Sequence, residues 1–246
     1  MNLGIGSVQF GTPYGISNSE GQIDKKEVLS ILETALQLEV KYIDTATLYG
    51  TSEQVLGECL PQSHGFNIIT KTIRFESKVI TNREGEILGK IFDQSLRKLR
   101  RKAVYGLMTH DAGDLLKPGG NILWEKMQAL KKQGLVEKIG SSAYSTDEID
   151  LLSKKYPIEL IQLPINVLDQ RLIQDGSLAR LKERNVEVHC RSIFLQGLLL
   201  MDVATLPEFF DPIRDLLLGY HQFLKKNKLS SVEGAISFIQ QIKEID

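Results

Sequence analysis

The sequence lacks the features that would mark a secreted, zinc-binding or membrane-spanning protein. Only Cys59 and Cys190 are cysteines among its 246 residues, and they are far apart with no CxxC spacing, so neither a disulfide framework nor a zinc site is indicated. No stretch approaches the run of about 18 apolar residues that a membrane span needs. The segment MNLGIGSVQFG has no basic region followed by a long apolar run, so it does not read as a signal peptide. These absences predict a cytoplasmic protein that makes no contact with a membrane.

The sequence also lacks an excess of charge of either sign. With 30 basic and 31 acidic residues the formal net charge is -1, which argues against a broad electrostatic surface for nucleic acid. The densest basic stretch, SLRKLRRK at Ser95–Lys102, is interpreted as a solvated helix end, where cations are favourable.

What the sequence does contain is a regular alternation of short apolar runs and amphipathic stretches. This alternation predicts an α/β fold of parallel strands joined by helical crossovers. No composition shift or Gly/Ser-rich linker interrupts it, so residues 1–246 are predicted to form a single domain. The predicted strands are Leu3–Ser7, Lys41–Asp44, Asn67–Thr70, Val104–Met108, Lys138–Ser141, Leu160–Pro164 and Val186–Arg191. The main predicted helices are Lys25–Leu38, Glu86–Leu99, Ile122–Leu130, Thr146–Leu152, Leu178–Arg184 and Ser231–Lys243.

Two architectures fit this pattern, a doubly wound open sheet and a (β/α)₈ TIM barrel. The open sheet usually carries a GxGxxG turn at its first helix, and the first strand here lacks that motif. The barrel places catalytic residues at the carboxyl ends of several strands. Six polar residues follow that rule: Asp44, Lys71, His110, Ser142, Gln162 and Arg191. The barrel is therefore the favoured prediction.

Four residues near these strand ends predict a proton-transfer chemistry. A phenol such as Tyr49 has an ordinary pKa near ~10, and a neighbouring ammonium lowers it. We expect Lys71 to supply that ammonium, Asp44 to hold it in place, and His110 to polarise a substrate carbonyl. No activated Cys or Ser accompanies them, so a hydride from a bound nicotinamide is the expected nucleophile.

These segments make the chain resemble the aldo-keto reductase family along nearly its whole length. The resemblance is carried by IDTATLYG with Ser52 and Glu53, by Lys71 in ITK, by His110 in LMTHD, and by the segments EKIGSSAYS, LIQLPIN and HCRSIFLQGLLL. It implies NADPH-dependent reduction of an aldehyde or ketone, with NADH as the alternative cofactor. It also implies Tyr49 as general acid, assisted by Asp44, Lys71 and His110.

The resemblance further implies which residues contact the cofactor. Gly11 and Thr12 correspond to positions near the nicotinamide ribose, and Ser142 and Gln162 to those that hold the carboxamide. The loop that passes the pyrophosphate corresponds to Ser192, Leu195, Gln196 and Gly197. Asp44 and Arg191 complete the predicted cofactor site.

The chain departs from the family pattern at several places. Ala143 replaces a common Asn, and Arg191 replaces a common aromatic ring that stacks on the nicotinamide. Glu39 occupies a place where a Gly commonly ends the first helix, and a left-handed backbone there would impose a modest strain on it. After Ser231–Lys243 the family continues into an eighth strand and a segment that holds the adenosine 2′-phosphate, whereas this sequence ends at Asp246. We expect either a fragment of a longer reading frame or an abridged protein.

An incomplete barrel would have consequences for association and for cofactor binding. Its first and seventh strands would have unpaired edges, which favour homo-oligomers. Loss of the phosphate-holding segment leaves open a second hypothesis, a catalytically weak family member that binds a partner. The substrate remains a small carbonyl compound of unspecified identity, and Phe10, Tyr14, Trp124 and Phe194 are available to line its pocket, although the helical stripe favours core packing for Trp124.

Overall fold

A computed structural model describes residues 2–61, 63 and 65–246. Its strands are β1 (Gly4–Gly6), β2 (Tyr42–Asp44), β3 (Asn67–Lys71), β4 (Val104–Thr109), β5 (Val136–Ser142), β6 (Leu160–Pro164) and β7 (Glu187–Arg191). Its helices are α1 (Val8–Gly11), α2 (Lys25–Gln37), α3 (Ser52–Cys59), α4 (Asn82–Leu99), α5 (Ala112–Leu116), α6 (Asn121–Lys132), α7 (Thr146–Lys155), α8 (Arg171–Gln174), α9 (Ser177–Glu183), α10 (Arg214–Lys226) and α11 (Ser231–Gln240). No described helix has the length and apolar character needed to cross a bilayer.

The seven strands form one parallel sheet in sequence order, β1 to β7. All seven predicted strands are confirmed, with ends that differ by two residues or fewer. Consecutive parallel neighbours require helical crossovers, and the helices between the strands supply them.

Local sequence signals account for where several helices begin. The Asp24 carboxylate accepts hydrogen bonds from the backbone N–H groups of Lys26 and Glu27, so it caps α2. Reciprocal capping boxes begin α4 at Thr81, α7 at Ser145 and α11 at Ser230. Each cap satisfies backbone donors that have no partner within the helix.

The sheet curls, because side chains on distant strands meet across its inner face. Tyr42 on β2 packs edge to face on His189 of β7 at 4.7 Å between ring centroids. Nearer the carboxyl ends, the Gln162 amide on β6 donates to Asp44 on β2 at 2.8 Å. The result is an incomplete barrel, as predicted: among the described residues β1 and β7 are not paired with each other, and no eighth strand is formed.

Other segments contact the unpaired edge of β7 and the loop that follows it. The backbone N–H of Asp246 donates to the Val188 carbonyl at 3.1 Å, and the Val188 N–H donates to the Asp246 carboxylate. At the carboxyl end of the sheet, the Ile16 N–H donates to the Gln196 carbonyl at 2.8 Å. The loop after β1 is therefore joined directly to the loop after β7.

The apolar core lies on both faces of the sheet. The larger part packs the outer face of the sheet against the helices, and a smaller cluster of Ile69, Met108 and Leu160 fills the inside of the barrel. A separate cluster around Leu199, Val203 and Leu217 connects α10 to the loop after β7. The layered arrangement is that expected of a βα barrel.

Candidate active site

The four residues predicted to carry the chemistry converge at the carboxyl ends of β2, β3 and β4. Lys71 Nζ lies 2.6 and 2.7 Å from the two carboxylate oxygens of Asp44. The same ammonium lies 3.4 Å from Tyr49 Oη, and 5.0 Å from the centre of the tyrosine ring. The ring of His110 stands nearly perpendicular to that of Tyr49, at 6.0 Å between centroids. One lysine therefore links the carboxylate to the phenol.

Close backbone packing holds Tyr49 in this position. A Cβ on Gly11 would lie 1.9 Å from the Tyr49 carbonyl oxygen, and a Cβ on Gly50 would lie 2.3 Å from the Gly11 carbonyl. Gly50 also has a φ of +57°, which favours glycine. The chain on either side of the phenol can therefore pack against the turn after β1 only because both residues lack a side chain.

Buried hydroxyl groups beneath the tyrosine were not predicted from the sequence. Ser52 Oγ lies 2.8 Å from Ser7 Oγ and 3.1 Å from Thr45 Oγ1, and all three side chains are buried. The Thr70 hydroxyl donates to the buried Glu53 carboxylate at 2.7 Å. These bonds tie the start of α3 to the ends of β1, β2 and β3. The only sequence signal was the presence of Ser52 and Glu53 in the first motif.

Burial controls the protonation of the site more than charge pairing does. Burial lowers the pKa of Lys71, which is 2% exposed, and the Asp44 carboxylate opposes that shift. The pKa of Tyr49 is raised, first by burial and then by the Asp44 charge. The expectation of a lowered pKa for Tyr49 is therefore wrong, because the desolvation of its phenolate by burial dominates. Tyr49 is protonated at neutral pH.

His110 is neutral under the same conditions. Burial lowers its pKa to about 4, and the positive charges of Lys71 and Arg74 contribute to the shift. Its backbone N–H donates to the Thr72 hydroxyl at 3.2 Å, which fixes the residue just past the end of β4. A neutral imidazole here is able to donate a hydrogen bond without carrying a charge.

The residues predicted to hold a carboxamide are direct neighbours. Ser142 is the last residue of β5 and pairs with Gln162 of β6. Gln162 lies within β6 rather than at its end, and its amide nitrogen bonds Asp44 at 2.8 Å. Gln162 therefore joins the predicted cofactor side of the site to the Asp44–Lys71 pair.

Arg191 ends β7 and lies beside an aromatic ring that the sequence did not mark. Its guanidinium lies 4.2 Å from the centre of the Tyr144 ring, and one of its nitrogens bonds the Ser192 hydroxyl at 3.3 Å. Its positive charge acts on Tyr49, opposing the rise in the phenol pKa. Arg191 is thus part of the same electrostatic site.

The predicted pyrophosphate loop has an unusual backbone. Ser192, Leu195 and Gln196 have φ values of 60°, 48° and 57°, and Gly197 has a φ of 95°. Left-handed conformations of this kind cost non-glycine residues about 1–3 kcal/mol each and concentrate at functional sites. A Cβ on Gly197 would lie 1.9 Å from the Ser17 hydroxyl, so the glycine is required by the loop after β1.

Comparison with known proteins decides the family. A sequence profile described as "Aldo/keto reductase family" matches residues 2–242. The chain belongs to the aldo/keto reductase family. The fold and the family resemblance predicted from the sequence are confirmed by this match.

Two curated relatives are similar to this family member. "Uncharacterized oxidoreductase YqkF" of Bacillus subtilis (strain 168) is 27% identical over 209 residues, which cover 80% of this chain and 62% of the relative. "Protein REDOX 2" of Catharanthus roseus is 24% identical over 194 residues, which cover 71% of this chain and 59% of the relative. The chain thus spans about three fifths of the length of these relatives.

Solved structures of aldo-keto reductases share the fold. A glycerol dehydrogenase from Gluconobacter oxydans superposes with a TM-score of 0.74 at 19% identity, covering 98% of this chain and 80% of that one. The holo form of an aldo-keto reductase from Bacillus halodurans gives a TM-score of 0.66 at 24% identity, covering 84% and 66%. At these identities the likeness concerns the fold.

Two aromatic residues considered for the substrate pocket lie elsewhere. Phe10 is 2% exposed and belongs to the core between sheet and helices. Trp124 lies in α6, where its ring packs against that of Tyr156 at 5.1 Å between centroids. This agrees with the core packing predicted from its place on a helical stripe. Tyr14 and Phe194 remain partly exposed in the loops after β1 and β7.

Proposed function

We propose that this aldo/keto reductase family member is an oxidoreductase that reduces an aldehyde or ketone to an alcohol with NADPH. The pair formed by the buried Lys71 and the partly exposed Asp44, in contact with Tyr49, carries the proposal. A buried ammonium held beside a phenol is a costly arrangement that a structural role does not require. NADH is the alternative cofactor, and the substrate is a small carbonyl compound.

Tyr49 is the general acid of the proposed reaction. Its raised pKa keeps the phenol protonated until negative charge develops on the carbonyl oxygen of the substrate. Transfer of that proton leaves a phenolate, which the ammonium of Lys71 at 3.4 Å stabilises. Asp44 fixes Lys71 with two short contacts, so the ammonium does not have to reorganise during the reaction.

His110 orients the carbonyl in this proposal. With a pKa of about 4 it is neutral, so it donates a hydrogen bond to the carbonyl oxygen and does not compete with Tyr49 as an acid. In this proposal the same substrate oxygen contacts one proton donor, Tyr49, and one neutral polarising group, His110.

Several polar atoms support a bound nicotinamide. Among the described residues, Gln162 Oε1, Arg191 Nη2 and His110 Nδ1 are buried without a hydrogen-bond partner. Buried polar atoms without partners are costly, and a bound group would supply them. The residues proposed to hold the cofactor are Gly11, Thr12, Ser142, Gln162, Arg191, Ser192, Leu195, Gln196 and Gly197. When bound, NADPH supplies the hydride that adds to the carbonyl carbon, while Tyr49 supplies the proton.

The proposal is tested by separating cofactor binding from turnover. NADPH and NADH are titrated by the emission of the nicotinamide itself, because Trp124 lies outside the site. Turnover is then measured with a panel of aromatic and aliphatic aldehydes. We expect Tyr49→Phe to lower kcat by about a hundredfold or more, as for loss of a general acid, with little change in cofactor affinity.

Tyr156→Phe is the matched control, since it removes a tyrosine hydroxyl that bonds the Leu115 carbonyl on the outer side of the barrel. Equal turnover by Tyr49→Phe and by the unmodified protein would show that the acid is misassigned. Dissociation constants in the millimolar range or above for both nucleotides would reject the oxidoreductase itself and favour a catalytically weak binding protein.

A further inference from the structure

Helix α10 carries an apolar stripe that the rest of the described chain does not cover. One face packs inward through Leu217 and Leu224, which are 0% and 2% exposed. On the neighbouring face, Leu216 and Phe223 are 55% and 59% exposed. These two residues are seven positions apart and therefore lie on the same side of the helix, two turns from each other.

A glycine lies in the middle of this stripe. Gly219 is exposed, and a Cβ built on it would have no heavy atom within 4 Å. Its φ is not in the left-handed region, so neither its conformation nor its surroundings require glycine. Glycine is nevertheless among the least favourable residues inside a helix. Close approach of a second backbone would account for it.

The stripe is complementary to itself. In an antiparallel pair of α10 helices related by a two-fold axis at the centre of the helix, Leu216 faces Phe223 of the second copy. Gly219 then faces the partly exposed Tyr220 of that copy, which places the smallest residue against a large ring. A two-fold interface uses the same patch on both subunits. The four positions meet this condition because each of the two pairs, Leu216 with Phe223 and Gly219 with Tyr220, forms twice.

The charges at the two ends of the helix fit the same arrangement. Asp215 lies in the first turn of α10 and Lys226 lies in its last turn, both beside the apolar stripe. Neither makes an ion pair with a described residue. Antiparallel packing places the acidic end of each helix beside the basic end of the other, and it also opposes the two helix dipoles favourably.

We propose that α10 is a docking surface for a second copy of this chain, formed by Leu216, Gly219, Tyr220 and Phe223. Two 13-residue helices cover less than the ~800 Å² per partner of a standard interface. Phe209, which precedes α10 in the chain, is a further apolar side chain that is 84% exposed. Because the area is small, we expect a weak, reversible dimer with a dissociation constant of about a micromolar or higher.

The decisive variant is Gly219→Gln, because its two effects have opposite signs. Open space at Gly219 lets the new side chain fit the monomer, and its better helix propensity should raise the urea midpoint of the dilute protein. The same side chain blocks close approach, so sedimentation equilibrium should show a dissociation constant at least tenfold higher. Leu218→Gln is the matched control: Leu218 is 42% exposed but lies on the other flank of α10, so its loss should leave the dimer unchanged.

A charge-swap experiment tests the antiparallel geometry. Lys226→Glu should weaken the homodimer, and so should Asp215→Lys. Mixing the two substituted proteins, each with its own fluorescent label, should restore a mixed dimer. A protein that stays monomeric up to several hundred micromolar would overturn the proposal. A dimer that survives Gly219→Gln would also overturn it and would direct attention to the open edges of β1 and β7.

Discussion

Glu187 is the group whose ionisation should control acid stability most directly. Its carboxylate lies inside the barrel, 9% exposed, and receives the Tyr105 hydroxyl at 2.6 Å. His189 Nε2 lies 2.7 Å from the other oxygen, and the Lys138 ammonium forms an ion pair with the carboxylate. Burial alone would raise the pKa of Glu187, but these three partners outweigh it and lower the pKa from 4.5 to about 2.

The size and direction of the effect follow from that shift. A carboxyl with a depressed folded-state pKa stabilises the protein fully above its unfolded-state pKa, and that stability is lost as the pH falls through the folded value. A shift from 4.5 to about 2 corresponds to about 3 kcal/mol at neutral pH, of which roughly 2 should be lost by pH 3. The loss should fall mainly between pH 4.5 and pH 2.

The assay compares urea unfolding of the unmodified protein and Glu187→Gln from pH 7 to pH 3. The variant should be less stable at pH 7, and the difference between the two proteins should shrink by about 2 kcal/mol toward pH 3. Titrating groups that do not contact Glu187 cancel in that difference. A gap that stayed constant across the range would refute the assigned pKa and with it the electrostatic account of the cluster.

Two further predictions concern the sheet and the active site. Gly140→Ala should destabilise the protein by about 3 kcal/mol or more in urea unfolding, because a Cβ there would lie 1.6 Å from the Leu160 carbonyl on the neighbouring strand; Gly65→Ala, with nothing within 4 Å, should be nearly silent. His110 should titrate near pH 4 in an NMR experiment, so stability attributable to this residue is lost as the pH falls from 6.5 to 4; titration near 6.5 would contradict its buried, neutral state.

Much of the fold could be predicted because the relevant signals are local. Each strand is a short apolar run between polar boundaries, and the carboxyl-end positions of Asp44, Lys71 and Arg191 follow from where those runs end. Glu39 occupies a place where the family commonly has a helix-ending Gly, and its φ of 55° shows that the backbone there is left-handed. Arg100 and Lys228 end helices in the same conformation, but they were missed because neither side chain signals it.

The protonation of the site could not be predicted in the same way. Sequence places Lys71 near Tyr49 and so suggests a lowered phenol pKa, yet the effect of burial depends on how completely β2, β3 and β4 exclude water. The same limitation applies to Phe10. It was considered for the substrate pocket, but the short helix α1 turns its side chain into the core.

The hydrogen bond from Ile16 to the Gln196 carbonyl has a thermodynamic consequence. It joins the proposed pyrophosphate loop to the segment that follows β1, across the side where the sheet is open. If a ligand binds more tightly when this hydrogen bond is formed, the bond must be more stable when the ligand is bound. The two effects have the same factor, because coupling between two equilibria is reciprocal. A ligand of the proposed pyrophosphate loop that prefers the linked form would therefore also hold the loops after β1 and β7 together.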